Sequence, residues 1–522
     1  MVDLLPPRTD GASTDDSPSM SPITDPRTGS ERSRGRPGRE AEVAAVVTAA
    51  RRAQPAWWRL TARDRSRRLL RLADRIEERA EDFLRAERAG TGKPASEISG
   101  ELEQCADVLR FYAGAARSDL SPASGRRIPD RESWVRWEPL GVVGVIVPWN
   151  YPLLMAAWRL GPALAAGNTV VLKPALTTPD SAVLLARHAD DLLGPGVLGV
   201  LPGDRRTGQL LVENDVDAIA FTGSNAGGAD VVARAGVRRV SLELGGNAPA
   251  LVLPDAPAHT YQGLVDACVY NAGQSCAAPA RVITLRDNHR ETVERLADAM
   301  RQRRAGVDFG PLNNPDQAAR FDRIIAESAA RTRHAAELSV TAEETHGYWR
   351  AGMILADLPD DDPAVLGEVF GPVLTVQAAD DPAHAVALAN SVPQALAASV
   401  WGSDAGLLLR LSGELDAGEV WVNCHLDQTA ELPHGGRRGS GHGTDLSVLA
   451  LAEYQRPKTV TVRLSCPGAR PGLRGGAAGG PPGRAGLPSV RGDGLAWPGR
   501  GRRSTGPGHG GQPVGPGSGL WR

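Results

Sequence analysis

The sequence contains few cysteines, and their spacing suits neither a disulfide framework nor a structural zinc site. The 522-residue chain has five, an odd number without a Cys-X-X-Cys pair: Cys105, Cys268, Cys276, Cys424 and Cys466. Disulfide-rich secreted domains are much denser in cysteine, and structural zinc sites need closely spaced ligands. The pattern predicts a protein of the reducing cytoplasm with no metal site.

The chain also lacks an excess of charge and a long apolar run. Its 59 basic and 61 acidic residues leave a formal net charge of −2, so no electrostatic attraction to nucleic acid or to an anionic membrane is expected. No apolar stretch approaches the roughly 20 residues that a membrane-spanning helix requires, and residues 1–39 have no apolar signal-peptide core. We therefore expect neither nucleic acid nor a membrane as a partner.

Both ends are poor in the apolar residues that a folded core requires. Residues 1–39 are rich in Pro, Ser, Asp and Arg, and residues 465–522 consist largely of Gly, Pro and Arg. Such segments bury too little apolar surface to offset the entropy cost of ordering them. The composition predicts a disordered leader and a disordered tail.

Between these ends, the periodicity of apolar residues predicts an α/β fold. The pattern is helical from Glu40, and after Pro139 strand-like runs alternate with helical stretches. The predicted strands are 142–147, 169–172, 197–201, 218–221 and 240–242, and the helices between them include 153–166 and 179–193. Such alternation is typical of parallel sheets, which bind ligands outside the carboxyl ends of their strands. The expected site is therefore formed by residues 148–151, 173–176, 222–224 and 243–246.

A second α/β segment contains Cys276, which follows Gly273, Gln274 and Ser275 just after an apolar helical run at 264–270. Small neighbours leave a thiol accessible, as a nucleophile must be. Free cysteines, however, are most often buried core residues. From these residues alone, Cys276 is either a nucleophile or an inert core side chain.

The strand ends carry short motifs in a particular order, although no G-X-G-X-X-G fingerprint follows any predicted strand. These motifs are Pro-Trp-Asn-Tyr-Pro at 148–152, Lys-Pro at 173–174, Phe-Thr-Gly-Ser at 221–224, Glu-Leu-Gly-Gly at 243–246, Gly-Gln-Ser-Cys at 273–276, Gly-Pro-Leu at 310–312 and Glu-Val-Phe-Gly-Pro at 368–372. Each is weak alone, because an Asn or Glu at a strand end is often a turn former or a cap. In this order, over residues 40–464, the chain resembles the aldehyde dehydrogenase superfamily.

The resemblance implies the aldehyde dehydrogenase fold, an α/β architecture of three parts. These are a Rossmann-like parallel-sheet cofactor domain (40–120 and 141–245), an α/β catalytic domain (246–444) and a β oligomerisation arm (121–140 and 445–464). The arm implies a homodimer or homotetramer built by strand addition. Within it, Pro457 favours an edge strand, since proline lacks the N–H that a central strand donates.

The resemblance also implies a mechanism. Cys276 attacks an aldehyde, and the side-chain amide of Asn150 and the backbone N–H of Cys276 stabilise the oxyanion. Glu243, with a pKa raised by an apolar cleft, is the general base that activates water to release the acid from the thioester. The alternative for Glu243 is a structural carboxylate bonded to backbone amides.

The implied cofactor is NAD. The residues that match the family's cofactor contacts are Pro148, Trp149, Lys173, Phe221, Gly223, Ser224, Gly228, Leu244, Gly245, Glu368 and Phe370. In the family, the Lys is followed three residues later by a Glu that bonds the adenine-ribose hydroxyls and repels a 2′-phosphate, and here that residue is Leu176. NADP is therefore not excluded.

For the substrate, the runs 150–158 and 431–436 resemble the branch that contains the gamma-aminobutyraldehyde and betaine-aldehyde dehydrogenases. Tyr151, Trp158 and Tyr270 favour a cationic aldehyde such as 4-aminobutyraldehyde by cation–π attraction, with Glu101 and Glu103 at the mouth of the tunnel. The alternatives are core packing for the aromatic residues, a solvated helix face for the glutamates, and another aliphatic or aromatic aldehyde as substrate.

Two further hypotheses are a catalytically idle relative and an enzyme that transfers the acyl group to CoA. The presence of Cys276, Asn150 and Glu243 argues against an idle relative. The Glu243 base argues for hydrolysis over transfer to CoA.

Overall fold

The computed structural model describes residues 20–118 and 124–464, beginning with a hairpin, four helices and two strands. These elements are β1 (Ser21–Thr24), β2 (Glu31–Gly35), α1 (Glu40–Arg59), α2 (Ala62–Glu78), α3 (Ala80–Thr91), α4 (Ala95–Ala115), β3 (Ser124–Gly125) and β4 (Arg131–Pro139). None of the helices in the described ranges is both long and apolar enough to cross a membrane. The early helices pack against the sheet that follows.

That sheet is parallel and has the strand order β7-β6-β5-β8-β9. It is built from β5 (Val142–Ile146), α5 (Pro152–Ala165), β6 (Thr169–Lys173), α6 (Asp180–Leu193), β7 (Leu198–Val200), α7 (Arg205–Glu213), β8 (Ala218–Thr222), α8 (Asn225–Ala235) and β9 (Arg239–Glu243). Every residue of β5, β6 and β8 is buried, as expected where helices cover both faces. The chain order reverses between β5 and β8, and such switch points are where open α/β sheets bind ligands.

A second, seven-stranded sheet has the order β12-β13-β14-β11-β10-β16-β17, parallel except for the β12–β13 pair. Its strands are β10 (Ala248–Val252), β11 (Pro279–Leu285), β12 (Thr332–Ala335), β13 (Met353–Ala356), β14 (Val373–Ala379), β16 (Ala397–Trp401) and β17 (Glu419–Val422), and the short pair β15 (Gln394–Ala395) and β18 (Arg437–Arg438) lies beside it. Its helices are α9 (Thr260–Val269), α10 (His289–Arg301), α11 (Pro315–Glu327), α12 (Pro363–Leu366), α13 (Pro382–Ala389) and α14 (Ala405–Glu414). Short 3₁₀ turns lie at Tyr270–Gly273, Arg286–Asn288 and Ala342–Glu344.

The described chain ends with α15 (Ala450–Glu453) and β19 (Gln455–Arg463). β19 pairs with β4 along nine antiparallel positions, and the three-stranded sheet has the order β19-β4-β3. β19 is thus an edge strand, as the proline at 457 predicts.

The α/β class and the parallel sheet predicted from the sequence are confirmed, and the five predicted strands lie within two residues of the observed ones. These runs are apolar throughout because the strands are buried on both faces, so apolar and polar residues do not alternate along them. Their ends are therefore marked by the first polar or glycine residue after each run.

The prediction of a disordered leader is wrong for its second half. Residues 21–35 form the β1–β2 hairpin, in which Ile23 is buried and Arg32 pairs with Asp180 at 2.6 Å. A Cβ added at Gly35 would lie 2.8 Å from Leu176, so the hairpin packs on the loop that follows β6. These partners are distant in sequence, and composition alone therefore could not reveal them. Residues 1–19 and the predicted tail from 465 lie outside the described residues.

Candidate active site

Two cavities meet at Cys276. The first, of about 220 Å³, lies at the carboxyl ends of β5, β8 and β9, and we call it the sheet-end cavity. The second, of about 380 Å³, is bordered by Tyr151, Trp158 and Tyr270, and we call it the aromatic cavity. Cys276 lines both and is half-buried. Its side chain is therefore accessible from two sides.

A left-handed turn presents the cysteine. Asn271, Ala272 and Gly273 have φ angles of 50°, 53° and 73°, a conformation that is costly for residues with a Cβ. A Cβ at Gly273 would overlap the carbonyl oxygen of Gly371, so this position requires glycine. Gln274 fixes the turn, because its side chain donates to Pro311 O at 3.2 Å and accepts from Asn313 N at 2.8 Å. The turn lifts Cys276 away from the core that buries Cys268.

Asn150 is tied to the same turn. Its Nδ2 donates to Gln274 O at 3.0 Å, and its backbone oxygen accepts from Asn271 Nδ2 at 2.9 Å. An amide nitrogen carries two hydrogens, so one is left over on Nδ2. These bonds fix the amide beside the cysteine, as an oxyanion donor must be fixed.

Glu243 ends β9 and is buried. Neither of its carboxylate oxygens has a hydrogen-bond partner among the described residues. A carboxylate oxygen of Glu243, the Sγ of Cys276 and a ring nitrogen of His434 all lie within 4.8 Å of one another. The alternative of a structural carboxylate bonded to backbone amides therefore does not describe this side chain.

His434 is the third member of this cluster, and the sequence analysis did not assign it a role. Its Nδ1 lies 2.8 Å from Glu419 Oε2, and its Nε2 lies 3.6 Å from Glu243 Oε1. The imidazole is almost fully buried, and the edge of Trp158 packs against it with ring centroids 5.2 Å apart. The sequence contained one sign of this cluster. Glu419, the partner of His434, is a charged residue at the start of an otherwise apolar strand.

The three groups shift one another's pKa values. Burial and the Glu243 charge raise the pKa of the Cys276 thiol to about 12, although His434 opposes this. Burial alone would lower the pKa of His434, but the neighbouring Cys276, Glu243 and Glu419 raise it well above the usual value. Burial would raise the pKa of Glu243, but His434, with smaller contributions from Cys276 and Arg159, more than offsets burial, and the pKa is lowered. The expectation of a raised Glu243 pKa is therefore wrong, because it omitted the histidine.

Most of the predicted cofactor residues lie together. The sheet-end cavity is lined by Pro148, Trp149, Gly223, Ser224, Leu244, Gly245, Glu368 and Phe370. A neighbouring cavity of about 360 Å³ shares Pro148, Trp149, Gly223 and Ser224 with it and extends to Lys173 and Phe221. Ser224 caps α8 by accepting from Gly227 N at 3.2 Å, so the helix N-terminus opens here.

Gly228 is the exception. It is buried, and a Cβ there would lie 2.6 Å from Leu244, so this glycine permits α8 to pack on the loop after β9. The neighbouring Gly227 lines the cavity instead. The contact predicted for Gly228 is therefore corrected to a packing role.

At the other side of the sheet-end cavity, Glu368 accepts from Gly246 N at 3.1 Å, and burial raises its pKa to about 7. Phe370 adopts a left-handed φ of 56°, and its ring lies 5.5 Å from that of Trp149. Gln317 and Arg320, which the sequence analysis missed, bond the backbone oxygens of Phe370 and Glu368 at 2.7 and 2.6 Å. They hold this loop in place from α11.

Lys173 donates to the backbone oxygens of Pro174 and Gly203 at 2.9 and 2.7 Å. Burial lowers its pKa to about 8, with Asp204 opposing the shift. Leu176 is half-buried and lines a cavity together with Lys173 and Arg205. The apolar side chain thus stands beside the ammonium where a carboxylate was expected.

In the aromatic cavity, the rings of Tyr151 and Tyr270 stack with centroids 6.3 Å apart. Glu101 does not lie at its mouth: it is buried, and both its oxygens accept from Lys93 Nζ, at 2.6 and 2.9 Å. Glu103 is exposed, and the adjacent Gln104 lines the cavity. The prediction for both glutamates is corrected: the helical phase turns one inward and the other to solvent.

Comparison with known proteins agrees with this geometry. The profile of the Aldehyde dehydrogenase family matches residues 13–460. Retinaldehyde dehydrogenase 3 of Rattus norvegicus is 35% identical over 82% of this chain and 86% of its own length, and betaine aldehyde dehydrogenase of Bacillus subtilis is 33% identical over 81% and 90%.

Among solved structures, betaine aldehyde dehydrogenase from Staphylococcus aureus in complex with NAD+ superposes with a TM-score of 0.82 and 27% identity, covering 88% of this chain and 94% of that one. Sequence motifs, fold and site thus agree over more than four-fifths of the chain. The chain belongs to the aldehyde dehydrogenase family and is an oxidoreductase that acts on aldehydes.

Proposed function

We propose that this protein oxidises an aminoaldehyde to the corresponding carboxylic acid, with NAD as electron acceptor, through a thioester on Cys276. The observation that carries the proposal is the convergence of Cys276, Asn150 and Glu243 where the two cavities meet. One cavity is suited to a nucleotide and the other to an aldehyde. The acceptor and the substrate therefore reach the same sulfur from opposite sides.

The first step is attack of the Cys276 thiolate on the aldehyde carbonyl carbon. The negative charge that develops on the carbonyl oxygen is held by Asn150 Nδ2 and the backbone N–H of Cys276. One such donor typically contributes about 2.7–4 kcal/mol to transition-state stabilisation. Since Asn150 is bonded to the cysteine turn, little reorganisation is needed when this charge forms.

The lining of the sheet-end cavity fits a dinucleotide. In the neighbouring cavity, the N-terminus of α8 would offer backbone N–H groups to a pyrophosphate and Lys173 would hold the adenine ribose, while Glu368 in the sheet-end cavity would hold the nicotinamide ribose. When bound, NAD supplies the hydride acceptor. Trp149 and Phe370 narrow the cleft beside Cys276, which limits the access of water during oxidation.

Glu243 then removes a proton from the water that attacks the thioester, releasing the acid and the Cys276 thiolate. Its unpartnered oxygens leave it free to bind that water. A lowered pKa keeps it ionised at neutral pH, so it is ready to act as a base. This retained base favours hydrolysis over transfer to CoA.

Charge and aromatic rings support a cationic substrate. Tyr270 Oη lies 3.4 Å from Glu101 Oε1, and the buried Glu87 and the half-buried Glu97 lie near the same Lys93. Three acidic side chains thus surround one ammonium behind the Tyr151–Tyr270 pair. Asp266 also lines the cavity, although it pairs with Arg303 at 2.7 Å. Lys93 sits 4.0 Å over one face of Tyr151, so the faces of Tyr270 and Trp158 are the proposed cation contacts, worth about 0.5–2 kcal/mol.

A second candidate is oxidation of an uncharged aldehyde. Leu154 and Met155 also line the aromatic cavity, and the rat relative acts on retinaldehyde by its name. Apolar lining favours an alkyl chain as readily as the stem of an aminoaldehyde.

One assay separates these candidates. The purified protein is given 4-aminobutyraldehyde or its uncharged analogue pentanal, with NAD or NADP, and with or without CoA, and nucleotide reduction is followed by absorbance. We expect a higher kcat/KM for the aminoaldehyde and no dependence on CoA. Equal kcat/KM for both substrates would refute the aminoaldehyde assignment. Absence of reduction with every aldehyde, in folded protein that binds NAD, would refute the function.

We also propose assembly into a dimer or tetramer through the sheet formed by β19, β4 and β3. Among the described residues, β19 is largely exposed and β4 is mostly half-buried, and Trp134 and Val462 are exposed large apolar side chains. A small sheet without a covered face is only marginally stable in water, so a second copy is expected to cover it. A cytoplasmic location is consistent with the free thiol that the mechanism needs.

A further inference from the structure

His434 and Glu243 both neighbour Cys276, but they line different cavities. Glu243 lines the sheet-end cavity and His434 lines the aromatic cavity, whereas Cys276 lines both. The thiol therefore has two basic neighbours, one on the cofactor side and one on the substrate side. The proposed mechanism uses only the first.

The orientation of the His434 ring is fixed by its surroundings. The backbone N–H and oxygen of His434 both bond Asp445, at 2.8 and 2.7 Å. Glu419 Oε2 lies 2.8 Å from Nδ1, and Gln428 Nε2 lies 3.0 Å from both Glu419 Oε2 and Nδ1. A carboxylate at Nδ1 selects the tautomer that carries its proton there. In the neutral ring, Nε2 is then the nitrogen that is free to accept a proton.

Nε2 faces the reacting groups. This nitrogen is buried and has no hydrogen-bond partner among the described residues. Cys276 Sγ and a Glu243 oxygen are the groups within reach, inside the 4.8 Å cluster. A buried acceptor pointing at a thiol, with a carboxylate behind it, is the arrangement that activates nucleophilic cysteines in general.

The other charged groups around the ring do not replace this pairing. Asp445 faces His434 from the loop after β18, but its carboxylate pairs with Arg159 of α5 at 2.9 Å. Glu243 and Glu419 are both acidic, so an imidazolium between them is stabilised. Charge balance in the cluster thus favours a positive ring, and that ring in turn lowers the pKa of the thiol beside it.

We propose that His434, oriented by Glu419, accepts the proton of the Cys276 thiol and holds the resulting thiolate as an ion pair. This inference rests on the proposed function of Cys276 as nucleophile. The S–H bond breaks and an Nε2–H bond forms, giving a thiolate and an imidazolium with no other reactant consumed. His434 is then a catalytic residue, because it exchanges a proton with the reacting sulfur, and Glu419 is a positioning residue.

The assignment separates two tasks that one carboxylate would otherwise share. His434 generates the thiolate before aldehyde binds, and Glu243 activates the water afterwards. Since Glu243 raises the pKa of the thiol through its charge, it opposes formation of the thiolate until the imidazolium is present. The histidine offsets that opposition.

The test measures the thiolate directly, without aldehyde or nucleotide. The full-length protein is alkylated with iodoacetamide across a range of pH, and the rate at Cys276 is followed by peptide mass spectrometry, with Cys276→Ala as the blank. We expect His434→Gln to slow alkylation at neutral pH by about 10- to 100-fold, equivalent to one or two pH units of lost thiolate stabilisation. Glu419→Gln should shift the profile in the same direction by less.

Two controls sharpen the result. His289→Gln replaces a half-buried histidine of α10 far from the cluster and should leave the alkylation profile unchanged. Glu243→Gln should not slow alkylation but should slow thioester hydrolysis. If His434→Gln is poorly folded by circular dichroism, the Glu419→Gln profile decides.

An unchanged alkylation profile in folded His434→Gln, or in Glu419→Gln where that variant decides, would overturn the proposal. The same holds if Glu243→Gln alone shifts the profile to higher pH. Failure of the proposed function looks different, because a wild-type protein inactive on all aldehydes can still show His434-dependent alkylation.

Discussion

At the scale of single residues, two cysteines near each other in sequence have opposite environments. Cys268 lies on α9 with its thiol in the apolar core, and burial raises its pKa far above the usual value. Cys276 follows the left-handed turn and faces two cavities. Amino-acid composition alone does not distinguish these two cysteines. The turn, which needs a glycine at 273, makes the difference.

Asn150→Ala should lower kcat by about 10²- to 10³-fold, because it removes a preorganised oxyanion donor. Steady-state kinetics with the preferred aldehyde checks this. The alkylation rate of Cys276 serves as the control and should stay near that of wild type, since the thiol keeps its histidine. A wild-type kcat in this variant would remove Asn150 from the mechanism.

Leu176→Glu should raise the preference for NAD over NADP by about tenfold or more, because a carboxylate beside Lys173 bonds ribose hydroxyls and repels a 2′-phosphate. The ratio of kcat/KM for the two nucleotides measures it. Leu176→Gln is the matched control, since it adds hydrogen bonding without charge. If the Glu and Gln variants give the same ratio, repulsion is not the cause.

At the scale of elements, Arg159 links α5 to the five-stranded sheet and to the loop after β18. Its guanidinium bonds Thr222 Oγ1 at 3.0 Å and Ser241 Oγ at 2.9 Å and pairs with Asp445 at 2.9 Å, all in a buried position. Burial raises the pKa of Asp445 to about 6, and Arg159 opposes that shift. This residue thereby couples β8 and β9 to the loop after β18, in which the backbone of Asp445 bonds that of His434.

Arg159→Met should lower the free energy of unfolding by about 3–5 kcal/mol, because it leaves a buried carboxylate without its cation. The folded-state pKa of Asp445 already exceeds its usual value of 3.8, and removing the arginine raises it further. A group with a raised folded-state pKa loses stability as pH rises through that pKa, so the loss should be larger at about pH 8 than at about pH 5.

Denaturant unfolding at the two pH values measures this effect. The double variant Arg159→Met with Asp445→Asn should recover part of the stability and lose the pH dependence. A loss that is equal at both pH values would show that Asp445 is not the affected group.

At the scale of the whole molecule, the β19–β4–β3 sheet is the surface that a single chain leaves uncovered. Thr459→Pro removes one N–H of β19, either from its ladder with β4 or from its outer edge. In both cases we expect a smaller particle by light scattering after size-exclusion chromatography. Thr459→Val keeps the N–H and should assemble as wild type. An unchanged mass in the proline variant would exclude assembly through this strand.

The sequence by itself determined the α/β class, the strand ends and the order of the motifs. Strands that are buried on both faces must be apolar, so each one reads as an apolar run, and the motifs follow where these runs stop. It also singled out Cys276, Asn150, Glu243 and the cofactor residues as candidates, and most of them line the sheet-end cavity and its neighbour.

Only the tertiary structure decided the partners of these residues. Glu419, His434 and Glu243 come from separate segments, and the lowered pKa of Glu243 depends on that meeting. The ordered hairpin at 21–35, the inward turn of Glu101 and the packing role of Gly228 were likewise decided by contacts distant along the chain. The local pattern of apolar residues in the sequence indicates whether a residue is buried. The charge state and hydrogen-bond partners of that residue are set by the segments that pack against it in the folded chain.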